Sequence, residues 1–104
     1  MGSVSVVVLT MGDRPIELSV AIASARAQPG KVEVVLVVNG GSPDRSQADI
    51  VVEPGRNVGI PEGRNLGVAA CSGDFICFLD DDGELRGDIF DAHAKRFTTI
   101  LASL

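Results

Sequence analysis

Phe75-Ile76-Cys77-Phe78-Leu79-Asp80-Asp81-Asp82-Gly83 is an apolar run that ends in three carboxylates and a glycine. Aromatic and branched side chains dominate it, so it reads as a strand covered on both faces, the kind that fills parallel sheets. Adjacent carboxylates repel one another unless water or a cation neutralises them, and oxygen ligands of this type suit a hard divalent metal. The alternative is a solvated acidic turn ahead of a helix.

Three further strands lie upstream of this stretch. Val4-Ser5-Val6-Val7-Val8-Leu9 and Val32-Glu33-Val34-Val35-Leu36-Val37-Val38 are buried runs, and Ile50-Val51-Val52-Glu53 is a shorter one halted by Pro54-Gly55. Between the first two, Ile16, Leu18, Val20, Ala21, Ile22 and Ala25 recur at helical spacing behind Pro15, and Pro29-Gly30 stops that helix. A second helix begins near Pro61 and sets Gly63 and Gly67 on one face. Glycine inside a helix costs about 1 kcal/mol against alanine, so its use there implies close approach to the sheet or to a ligand. A final amphipathic helix is predicted over 87–104, with Phe90, Phe97, Ile100, Leu101 and Leu104 on one side and His93 packed among them.

This order predicts an α/β fold: a mostly parallel sheet of about four strands with helices on both faces, a Rossmann-like half domain. Polar residues gather after the strands, at Thr10 to Arg14, Asn39 to Asp44 and Asp80 to Asp82. Ligands of such sheets bind in the crevice at the carboxyl ends of the strands.

The chain has 104 residues, 45% of them apolar, which bounds it to one small globular domain over residues 1–104. Nine Lys and Arg against 14 Asp and Glu give a net charge of -5. With no basic run and no Trp or Tyr, neither a nucleic-acid partner nor attraction to anionic lipid is expected. Cys71 and Cys77 fit no zinc spacing and are read as packing residues in a reduced, cytoplasmic setting. No apolar run is longer than that of Val34 to Val38, which is too short to cross a bilayer.

Several pieces, in this order, carry a family resemblance over roughly residues 4 to 85. They are the Val4-to-Thr10 strand, Val34-Val35-Leu36-Val37-Val38-Asn39-Gly40, Asn57-Val58-Gly59 with Gly63-Arg64-Asn65-Leu66-Gly67, and Phe78-Leu79-Asp80-Asp81-Asp82. The chain resembles the N-terminal, nucleotide-binding half of family 2 inverting glycosyltransferases of GT-A fold. That resemblance implies a nucleotide-diphosphate sugar donor, an acceptor, and Mg2+ or Mn2+ at a D-x-D motif. It places Thr10 and Arg14 on the base and diphosphate side, and Arg64 near the nucleotide. Asp80 would face the ribose and the metal, Asp82 would hold the metal, and Asp81 could share either role. Asn39 stands where the family usually has an Asp that binds the base. The acceptor half and the catalytic base, usually a carboxylate, are expected in a second half of the family domain, so this chain looks truncated and inactive alone.

Each of these residues also has a structural alternative: Thr10 as a turn or cap, Arg14 in a surface pair with Asp13, Asn39 in a turn, Arg64 as a solvated charge. Ile76 to Leu85 also looks like the strand and D-x-D-G-T-L of haloacid-dehalogenase-like phosphatases, although there the motif follows the first strand and Glu84 stands in place of Thr. A small flavodoxin-like binding module suits the length but carries its acidic residues after the first strand. No G-x-G-x-x-G follows the first strand, which excludes a Rossmann dinucleotide site. A homo-oligomer is expected, because the apolar side of the final helix has little to bury it.

Overall fold

The computed structural model describes residues 3–85 and 99–102. The chain runs β1 (Val4–Thr10), α1 (Pro15–Arg26), β2 (Val32–Val38), β3 (Ile50–Val52), α2 (Ile60–Ala70), β4 (Phe75–Asp80) and β5 (Thr99–Ala102). Among the described residues these strands form one five-stranded sheet in the order β3-β2-β1-β4-β5, with every neighbouring pair parallel.

The α/β class and parallel sheet agree with the expectation, and the end of the chain corrects it. A helix was predicted over 87–104, yet Thr99 to Ala102 is a strand that pairs with Ile76 to Leu79 of β4. The rest of the predicted helix lies outside the described residues. Without β5 the outer edge of β4 would carry unpaired amide and carbonyl groups; the β-branched Thr99-Ile100 suits that edge, and tertiary pairing overrides the helical spacing.

The chain builds β2 and β3 to one side of β1 and then crosses back to place β4 on the other. Crossovers from the two central strands therefore diverge, and a crevice opens at their carboxyl ends. On one face α1 buries Leu18, Ala21, Ile22 and Ala25 against Val6, Val8, Val34, Leu36, Cys77 and Leu79. The predicted apolar face of α1 was too wide: Ile16 is 76% and Val20 is 45% exposed. The stripe that the sheet accepts is Leu18, Ala21, Ile22, Ala25, spaced by three and four residues, and the apolar character of the other two does not change the direction in which they point.

On the opposite face α2 lies across β1 and β2 through its glycines. A Cβ on Gly67 would stand 2.5 Å from Val7 Cγ1, and one on Gly63 would stand 2.7 Å from Leu9 Cδ2. The helical glycines thus serve close approach to the sheet. At the carboxyl end of the strands, Gly41 has φ +75° and a Cβ there would overlap the Met11 carbonyl. Only glycine allows the loop after β2 to lie against the loop after β1 in this way.

Candidate functional site

An open cleft of about 530 Å3 occupies the carboxyl end of the sheet. Thr10, Arg14, Asn39, Arg64, Asp80, Asp81 and Asp82 all line it. Residues separated widely in sequence are brought together there because parallel strands put all their carboxyl ends on one edge.

The junction of β1 and β4 is closed by side chains. Thr10 Oγ1 donates to Asp81 Oδ2 at 3.0 Å and accepts from the Gly12 amide at 3.1 Å. Thr10 is 2% exposed, and its hydroxyl serves the turn after β1 and the acidic loop. Arg14 does not pair with Asp13 across the helix start but reaches the acidic loop, with Nη1 2.7 Å from Asp82 Oδ2 and 3.7 Å from Asp81 Oδ1. Burial pushes the Asp81 carboxyl above its ordinary value; the Thr10 hydroxyl and Arg14 oppose that rise, while Asp13 and Asp82 add to it. Asp82 is exposed, and Asp80, half-buried, turns the chain by accepting the Gly83 amide on its carbonyl at 2.9 Å.

Arg64 stacks over the Phe78 ring, with its guanidinium carbon 5.2 Å from the ring centroid. A cation over an aromatic face is attracted by the ring quadrupole, so Arg64 is held on the cleft wall rather than left as a solvated charge. Phe78 is half-buried and lines the cleft, a part the sequence reading gave to strand packing alone. The two-residue period of β4 carried that signal, since it puts Phe78 and Asp80 on one face. Asn57, Gly59 and Ile60 complete the α2 side.

Asn39 lies 4% exposed at the end of β2. Its Oδ1 accepts from the Val58 amide at 2.7 Å, and its Nδ2 donates to the Gly59 carbonyl at 3.2 Å. Both ends of the amide hold the segment that leads into α2. Neither cysteine belongs to the cleft; burial pushes the Cys77 thiol up to about 12, as befits a packing group.

A parallel sheet covered on both faces, with its cleft where the winding reverses and an acidic turn on one lip, is a Rossmann-like α/β half domain. Residues 5–99 match the family model described as Glycosyl transferase family 2, and the chain belongs to that family. A crystal structure of S. aureus TarS is similar in fold, with a TM-score of 0.69 at 24% identity over 88% of this chain and 19% of that one. The crystal structure of S. aureus TarS 1-349 gives a TM-score of 0.73 at 23% identity over 89% of this chain and 31% of that one. The chain thus spans between 19% and 31% of the length of these neighbours. No curated protein matches it at a significant level.

Proposed function

We propose that the cleft binds a nucleoside-diphosphate sugar together with a divalent cation, for sugar transfer to an acceptor by the whole protein. The observation that carries this reading is the meeting of Arg14, Thr10 and the Asp81-Asp82 pair across the reversal of the sheet. Arg14 and Gly59, the residues that open α1 and α2, both line the cleft, so two helix N-termini face it. Amide dipoles at helix starts favour anionic groups such as a diphosphate.

Mg2+ or Mn2+ fits the oxygen donors available. Among the described residues no group of three or more His, Cys, Asp and Glu could hold an ion alone. In this reading one or two carboxylates, Asp82 and Asp80, hold the ion, with phosphate oxygens as further ligands. When bound there, the ion would offset the negative charge that grows on a departing diphosphate. Arg14 then supplies a second positive charge beside the phosphates, and Thr10 fixes the Asp81 carboxylate within the acidic lip. Arg64 on Phe78 forms the wall against which the nucleotide lies. The phosphatase alternative loses its footing, because the acidic turn follows β4 and not the first strand. We expect this chain by itself to bind nucleotide without turning over a sugar donor.

Calorimetric titration of Mn2+ with and without UDP, GDP or dTDP tests the assignment. Tighter Mn2+ binding in the presence of at least one of the three is the expected result, and the one that responds names the base. Identical Mn2+ affinity in all four titrations would sink the reading.

A further inference from the structure

We infer that Asn39 is a positioning residue for this cleft and does not read the base of the nucleotide. The inference deepens the proposed nucleotide-binding function and rests on it only for the affinity arm of the test. The side-chain amide spans two partners of opposite character, accepting from Val58 N at 2.7 Å and donating to Gly59 O at 3.2 Å. Its backbone amide donates to the Thr10 carbonyl at 2.8 Å, so Asn39 ties the ends of β1 and β2 to the entrance of α2. The clamp lies beside α2 at Gly63, where an added Cβ would stand in ordinary contact with Asn39 Nδ2 at 3.4 Å. Through that clamp Asn39 sets the first turn of α2, and one turn further on α2 holds Arg64 over Phe78.

The clamp needs a donor and an acceptor on one side chain. Ionised aspartate offers acceptors only, and its second oxygen would face the Gly59 carbonyl; protonated aspartic acid has one of each and restores the pattern. Asn39→Asp is therefore a switch that closes the clamp at low pH and opens it at high pH. The other charged groups lining the same cleft are Asp13 and Arg14 after β1, Arg64 on α2, and Asp80, Asp81 and Asp82 after β4. All of them are the same in the native chain and in the variants, so the ratio of variant to native isolates position 39.

Amide hydrogen exchange at Val58 in the nucleotide-free protein gives the direct measurement, and Asn39→Ala is the charge-free companion. At pH 8 exchange at Val58 should be at least tenfold faster in both variants than in the native chain. As pH falls to 5, the ratio of Asn39→Asp to native should approach one, while that of Asn39→Ala stays high. UDP, GDP and dTDP affinities, where the native chain binds them, should follow the same two profiles with the ranking of the three nucleotides unchanged. Native-like Val58 exchange in Asn39→Ala would overturn the inference, as would an altered nucleotide ranking in Asn39→Asp. A native chain that binds none of the three removes the proposed function, while the exchange result still decides the role of Asn39.

Discussion

Arg64 is the residue whose contribution can be separated most cleanly. Its guanidinium is oriented by the Phe78 face, with no carboxylate pairing it among the described residues, which suits it to a ligand phosphate. Arg64→Ala should weaken nucleoside-diphosphate binding by about 1.5–3 kcal/mol, the usual worth of a hydrogen bond to a charged group. Lys31→Ala, at an exposed site ahead of β2 and thus at the far end of the sheet, should leave affinity unchanged. Equal affinities in the two variants would return Arg64 to a packing role. Glu33 gives a stability test at that far end. Burial raises its pKa, but the hydroxyl and amide of Ser72 and the hydroxyl of Ser5 outweigh this and hold the carboxyl below its ordinary value of 4.5. A depressed carboxylate pKa contributes stability above the unfolded value, and that stability is lost as pH falls through the folded one. Glu33→Gln should thus cost about 1 kcal/mol at pH 7, and urea titrations should show the gap closing below pH 4. A gap that persists at pH 3 would mean that packing and not charge is at stake. The sequence displayed six of the seven candidate residues by type and by their place after strands, and Arg64, inside α2, only through the family resemblance. It did not display the pairs Arg64 with Phe78 or Asn39 with Val58 and Gly59, because those contacts depend on how α2 crosses the sheet.

At the scale of elements, the seat of α2 is governed by its glycines. Alanine at position 67 gains about 1 kcal/mol of helix propensity but drives a methyl to 2.5 Å from Val7 Cγ1 and 3.1 Å from Val37 Cγ2. Overpacking of this kind costs about 1–3 kcal/mol, so Gly67→Ala should be destabilising in thermal unfolding. Combining it with Val7→Ala should recover part of the loss, and strict additivity would show that the two side chains do not compete. Strands β1, β2 and β4 were legible because strands covered on both faces are continuous apolar runs. The breadth of the α1 stripe was not, since Ile16 and Val20 are apolar yet face away from the sheet. β5 was missed because four residues of mixed spacing fit a helix as well as a strand until a neighbouring edge is known.

For the whole molecule, Ile16 and Val20 lie four residues apart and both exposed on α1, and β3 is a short strand at one edge of the sheet. Exposed apolar pairs on one helix face and open strand edges both favour contact between copies. We expect sedimentation at micromolar concentration to show a dimer or larger species, and Ile16→Ser to shift it toward monomer; a native chain that sediments as a monomer removes the expectation. The pairing order of the sheet also carries a consequence in time. Ser5 meets Glu33 across 28 residues, whereas Thr10 meets Asp81 across 71. The shorter closure costs less entropy, so the contact between β1 and β2 is the cheaper one to form, and it needs only residues that precede the acidic turn in the chain. The cleft closes only through the long pairing of β1 with β4, so a chain still lacking residue 81 has Arg14 in place with no acidic turn for it to meet.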